Sequence, residues 1–152
     1  EPFGMEVNIF DPYINKISDS RVNVCDSLEI LLKNSDIVAI CVHLNSETKC
    51  MIGSNEIGQM KDGAYLINTS RGETIEEQAL INALKSGKIT AAGVDVVCEE
   101  HLLPKKENIL INYAKSNENL IVTPHIAGLT IDSENKAQRA AFLACLEYFH
   151  IV

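Results

Sequence analysis

Four ionisable residues of this chain follow or interrupt apolar runs, where charge is costly unless paired or bound: Arg71, Asp95, Glu100 and His125. Arg71 closes Ile67-Asn68-Thr69-Ser70-Arg71-Gly72, Asp95 interrupts Ala92-Gly93-Val94-Asp95-Val96-Val97, and His125 lies in Thr123-Pro124-His125-Ile126-Ala127-Gly128. A guanidinium can grip a carboxylate through two parallel hydrogen bonds and polarise the carbonyl beside it. A histidine is the natural proton donor near neutral pH, and a carboxylate such as Glu100 on its other ring nitrogen would fix the tautomer. Asp95 could accept a hydrogen bond from a carboxamide or close its own loop, and both readings stand. Taken singly, Arg71 could bond strand-end carbonyls and His125 its own backbone. In this order and company, an anion binder, an acid and a base point to an active site that moves a proton beside a bound carboxylate.

A further acid ends the first apolar run, in Val7-Asn8-Ile9-Phe10-Asp11-Pro12-Tyr13. At a strand end in a nucleotide-binding sheet such an acid accepts hydrogen bonds from ribose hydroxyls. An Asp-Pro turn is the alternative. The G-x-G-x-x-G turn that precedes such an acid in these sheets does not occur in the 152 residues. Cys98-Glu99-Glu100-His101 lacks the second Cys/His pair of a tetrahedral zinc set, so no metal is expected.

The elements that must position these groups alternate between strand-like and helix-like segments, which favours a parallel α/β sheet covered on both faces. Continuous apolar runs predict strands over residues 6–10, 22–25, 37–42, 64–68, 91–97 and 120–122. Thr74 and Glu77 stand at capping-box spacing before a helix over 75–86, with Gly87 at its stop, and Asp26 and Glu29 do the same for 27–34. A third helix is predicted from about 132 to 149. Residues 101–119 read as solvated loop with room for one helical turn.

The length fits one domain with a sizeable core. Thirteen Lys and Arg against 21 Asp and Glu give a formal net charge of −8, which disfavours tracking a phosphate backbone, so no nucleic-acid partner is expected. No apolar stretch is long enough for a membrane span. The five cysteines are odd in number and unpaired in spacing, which suits a reducing, cytoplasmic setting, and Cys41 in its apolar run reads as a small hydrophobe.

With these residues in place, the chain resembles the D-isomer-specific 2-hydroxyacid dehydrogenases, a family that includes phosphoglycerate dehydrogenases. The resemblance runs from Phe3-Gly4-Met5-Glu6-Val7 and Asp11-Pro12-Tyr13, through Asn68-Thr69-Ser70-Arg71-Gly72, Gly93-Val94-Asp95-Val96 and Glu100, to Thr123-Pro124-His125-Ile126-Ala127-Gly128. It implies a Rossmann-like doubly wound sheet and NAD as cofactor. Arg71 would bind the substrate carboxylate and keto oxygen, His125 would be the acid/base and Glu100 its partner. Asp11 would meet the adenosine ribose and favour NAD over NADP. Asp95 would meet the nicotinamide carboxamide. The loop Val42, His43, Asn45, Thr48, together with Thr69, Ser70, Arg71, His125 and Gly128, would line the cofactor cleft. The implied partners are a small 2-hydroxy or 2-oxo acid and further copies of the chain.

Three departures accompany the resemblance. His43 stands where the family commonly has proline, and the 111–119 region looks longer than usual. The family's first strand, glycine-rich turn, first helix and substrate lobe have no counterpart, so residues 1–152 read as part of a dinucleotide-binding domain. That strand would lie between 6–10 and 37–42, and its absence predicts either closure of those two strands on each other or self-association. A corepressor-like module that senses dinucleotide without turnover is the alternative function.

Overall fold

A computed structural model of the chain describes residues 4–14, 17–103 and 106–149, so Phe3, where the resemblance begins, lies outside them. Strands β1 (Val7–Ile9) and β2 (Val22–Val24) precede α1 (Leu28–Asn34) and β3 (Ile37–Ile40). Then come α2 (Ser54–Gln59), β4 (Ala64–Asn68), α3 (Glu77–Ser86), β5 (Ile89–Val94), α4 (Ile109–Ala114), β6 (Leu120–Val122) and α5 (Ile131–Tyr148). Short 3-10 turns occupy Gly72–Thr74 and Glu100–Leu102. All strand pairs are parallel, as βαβ crossovers require.

The strands form two sheets, β1-β2 and β3-β4-β5-β6. Of the two outcomes expected for the missing strand, closure of β1 onto β3 does not occur. Leu32 of α1 is wholly buried in the core of the large sheet, and a Tyr13 Oη–Glu47 Oε2 hydrogen bond of 3.3 Å links the loop after β1 to the loop after β3.

In the large sheet, side chains alternate across the pleat. Val38, Ile40, Leu66, Ala92, Val94 and Leu120 face inward, against Ile57 of α2, Leu80 and Leu84 of α3 and Leu110 of α4. The expectation of two covered faces fails on the other side. Ile37 (51% exposed), Tyr65 (45%) and Ile121 (65%) stand on a face that no described helix buries. Their apolar character nonetheless produced the unbroken runs that made the strands visible.

Several local expectations shift. The N-cap of α1 is Ser27, which accepts from the Ile30 amide at 3.2 Å, while Glu29 pairs with Lys33 along the helix. Helix α3 begins at Glu77 rather than 75 and has no side-chain cap, because Thr74 and Glu77 are engaged elsewhere. Strand β5 starts earlier and stops at Val94, where Asp95 turns into the next loop. Helix α2 was not anticipated, and its start is marked by Glu56 bonding back to the Gly53 amide at 3.0 Å. The single turn expected within 101–119 is α4, capped by Asn108. Cys41 lies past the end of β3 and is exposed rather than packed. Among the described residues, no helix is long and apolar enough to cross a membrane.

Candidate active site

Parallel register brings the C-terminal ends of three strands into line: Asn68 of β4 opposes Val94 of β5, which opposes Val122 of β6. Arg71, Asp95 and His125 follow these ends within one to three residues, so they emerge along one sheet edge. The β4 and β6 ends are two strand spacings apart, roughly 10 Å.

Buried Asn68 shapes the Arg71 turn. Its amide nitrogen donates to the Arg71 carbonyl (3.0 Å) and to Thr74 Oγ1 (3.2 Å), while its oxygen accepts from the Ser70 amide and hydroxyl at 3.0 and 2.9 Å. Thr74 Oγ1 donates to the same Arg71 carbonyl at 2.7 Å, which is why it does not cap α3. Arg71 itself is exposed and one guanidinium nitrogen donates to the Ser70 carbonyl at 2.6 Å. Among the described residues Arg71 makes no ion pair, which leaves its charge available to an anion. Thr69 is exposed beside it.

Asp95 is buried and holds the turn that carries His125. It accepts from the Ile126 amide (3.0 Å), the Ala127 amide (2.8 Å) and the Thr123 hydroxyl, and its carbonyl accepts from the His125 amide (2.9 Å). Burial pushes its carboxyl up, but the hydrogen bonds from Thr123, Ala127 and Ile126, with His125 nearby, outweigh it and hold the group below its ordinary value. The loop-closing reading of Asp95 therefore has a structural basis. A carboxylate has about four lone-pair sites, so one further donor could still be accepted. The turn places His125 in the left-handed region, at φ 54°.

His125 Nδ1 lies 2.7 Å from Glu100 Oε1. An ionised carboxylate only accepts, so the ring proton belongs on Nδ1 and Nε2 is left free for another partner. The two side chains are 46% and 36% exposed, so the pair is open to solvent on one side. A cleft of about 800 Å³ adjoins it, lined by Asp95, Glu100 and His125 and by apolar residues of α4 and β6. Arg71 is not among its lining residues.

The remaining candidates follow β1, β3 and β6. Asp11 lies two residues past β1, and its Oδ1 accepts from the Tyr13 amide at 2.8 Å, forming the Asp-Pro turn. In the loop after β3, Asn45 Oδ1 accepts from the Glu47 and Thr48 amides at 2.8 and 2.9 Å, and Thr48 Oγ1 donates to the His43 carbonyl at 2.6 Å. Asn45 and Thr48 thus shape the loop, Val42 packs against the core, and exposed His43 is presented outward. Gly128 is exposed and its carbonyl accepts from Ser133 Oγ at 2.6 Å, at the foot of α5. A pyrophosphate-binding glycine turn is not among these residues.

Sequence reasoning overlooked Asn68, Thr74, Gly72, Glu77 and Asn108 as site-forming residues. An amide at the very end of an apolar strand was the available signal for Asn68.

Comparison with known proteins shows the family. Residues 1–127 match the family described as D-isomer specific 2-hydroxyacid dehydrogenase, NAD binding domain, and the chain belongs to that family. It is 44% identical over 127 residues to a glycerate dehydrogenase from Methylorubrum extorquens, covering 84% of this chain and 37% of that protein. It is 40% identical over 141 residues to a D-3-phosphoglycerate dehydrogenase from Methanocaldococcus jannaschii, covering 91% and 25%. The fold is similar to a D-lactate dehydrogenase from Aquifex aeolicus solved with NAD and lactic acid, with a TM-score of 0.82, 31% identity and coverage of 98% of this chain and 47% of that one. The chain thus spans less than half the length of these relatives.

Proposed function

We propose that, within the intact protein, this domain serves an oxidoreductase that transfers hydride between NAD and the C2 carbon of a small 2-hydroxy or 2-oxo acid. The observation that carries this reading is the 2.7 Å His125–Glu100 contact on the same sheet edge as an Arg71 that makes no ion pair among the described residues. When bound, NAD supplies or accepts the hydride. Arg71 holds the substrate carboxylate and polarises the keto oxygen, and His125, as the imidazolium paired with Glu100, gives its Nε2 proton to that oxygen as the alcohol forms, leaving the neutral Nδ1–H ring. Glu100 fixes the tautomer that leaves Nε2 facing substrate. The second Asp11 oxygen takes the ribose hydroxyls and repels a 2′-phosphate, which selects NAD over NADP. Val42, His43, Asn45, Thr48, Thr69, Ser70, Asp95 and Gly128 shape or line the cofactor's path. A homo-oligomer in a reducing, cytoplasmic setting accords with the open sheet face and the five free cysteines, and the acidic surface disfavours nucleic acid.

The test is NADH oxidation by the full-length protein with hydroxypyruvate, pyruvate and 4-methyl-2-oxopentanoate. Arg71→Ala should lower kcat/KM by about a hundredfold or more while NADH affinity changes little. Arg71→Lys should recover little of this, because a point charge lacks the planar fork. Absence of turnover with all three acids would count against the proposed reaction, and near-normal turnover in both variants would remove Arg71 from this role.

A further inference from the structure

Cys98 and Asn108 flank in sequence the segment that carries Glu100, and both are held by one carboxylate at the start of α3. Glu77 Oε1 accepts from the Cys98 amide at 2.8 Å. The Asn108 side-chain amide donates to both Glu77 oxygens, at 2.9 and 3.0 Å. Asn108 is buried, and its oxygen caps α4 through the Leu110 and Ile111 amides at 2.9 and 3.2 Å. A second fastening runs from the Arg71 turn. Glu73 Oε1 accepts from the Glu99 amide at 3.3 Å, and Gly72 abuts the Val97–Cys98 peptide so closely that a Cβ there would lie 2.0 Å from the Val97 carbonyl carbon.

We propose that Glu77 is a positioning residue for the proton-transfer pair, holding both loop ends so that Glu100 meets His125. The proposal rests on the functional reading of that pair given above. Glu100 and His125 are partly exposed and come from separate loops, so the contact between them lacks close packing on every side. Its geometry depends on how each loop is anchored. Asp95 anchors the His125 turn and Glu77 the Glu100 loop. An acidic residue at the first position of a helix also interacts favourably with the helix dipole. That effect is purely structural and does not require a grip on residues 98 and 108, so the two roles separate experimentally.

The experiment is a double-mutant cycle in the full-length protein, with NADH and the best of the three 2-oxo acids above. Glu77→Ala should lower kcat/KM about tenfold, as a small misplacement of a catalytic partner does, with NADH affinity within about twofold of wild type. In a Glu100→Gln background the same change should cost less than about twofold, because the group it positions is already disabled. Nitrogen-detected NMR of the His125 ring should show a predominant Nδ1–H tautomer in wild type and a mixture in Glu77→Ala. Glu77→Gln keeps an acceptor for the Cys98 amide and presents an unsuitable amide to Asn108. It should fall between the two, and it replaces the alanine variant if that fails to fold. Losses that multiply independently in the cycle, or an unchanged tautomer in either Glu77 variant, would overturn the positioning role alone. A Glu100→Gln enzyme with wild-type kinetics would overturn the reading of the pair and the positioning role with it.

Discussion

Asp95 combines burial with three hydrogen bonds to the turn that presents His125, and this makes acid stability a property of the site itself. Its folded-state carboxyl is held below the ordinary value of 3.8. The stability it contributes is therefore fully present above the unfolded-state value and is lost as pH falls through the folded one. Asp95→Asn should remove that part of the acid dependence. Ile126 and Ala127 donate to different Asp95 oxygens, so an asparagine turns its NH2 toward one of these amides, leaving a buried donor unsatisfied at roughly 1–3 kcal/mol near neutral pH. Thermal melts of wild type and variant from neutral to acid pH check this. Parallel curves, with the same loss on acidification, would show that Asp95 does not carry the linkage. Cys98 illustrates the opposite sign. Burial, with Glu77 and Glu73 beside it, pushes the thiol up to about 12, so it remains a protonated, unreactive side chain despite lying in the site's loop.

At the scale of elements, the close approach of the 3-10 turn Gly72–Thr74 to the peptide after Val97 sets the spacing between the Arg71 turn and the Glu100 loop. The conflict at Gly72 is with backbone atoms, which cannot rotate away. Gly72→Ala should therefore force the two loops apart and destabilise the fold by about 1–3 kcal/mol, with larger losses in activity than in NADH binding. Equilibrium denaturation alongside steady-state kinetics measures both, and a variant unchanged in both would show that the contact is slack.

Much of this frame was legible in the sequence, because parallel strands buried on one face and merely apolar on the other both read as unbroken runs. The large strands and α3 were found within a few residues for that reason. The site residues were legible where charge interrupts such runs, at Arg71, Asp95 and His125. The residues that brace them were not. Thr74 and Glu77 satisfied a local capping pattern, yet tertiary partners at Asn68, Cys98 and Asn108 took their side chains instead. Helix α2 has only six residues, too few for a periodic signal.

For the molecule as a whole, the bare face bearing Ile37, Tyr65, Ile67 and Ile121 lies beside a β3 edge that pairs only with β4 among the described residues. Such a surface invites association. The 152 residues expressed alone should associate with rising concentration in sedimentation velocity, and Ile121→Lys should weaken that association. They should also bind NAD weakly in calorimetry, since they hold no pyrophosphate-cradling glycine turn. A single monomeric species at all concentrations would refute the first expectation, and saturable low-micromolar NAD binding the second.

The order β3-β4-β5-β6 in the large sheet is also the order of synthesis. Each new strand joins the edge its predecessor has just completed, and no strand must be threaded between two already in place. This half of the molecule can therefore assemble vectorially as it leaves the ribosome, each crossover docking its helix before the next strand arrives. The β1–β2 unit stands outside this sequence of additions. It remains a separate two-stranded sheet, marginally stable by itself, and amide exchange during refolding should show it gaining protection after the four-stranded sheet.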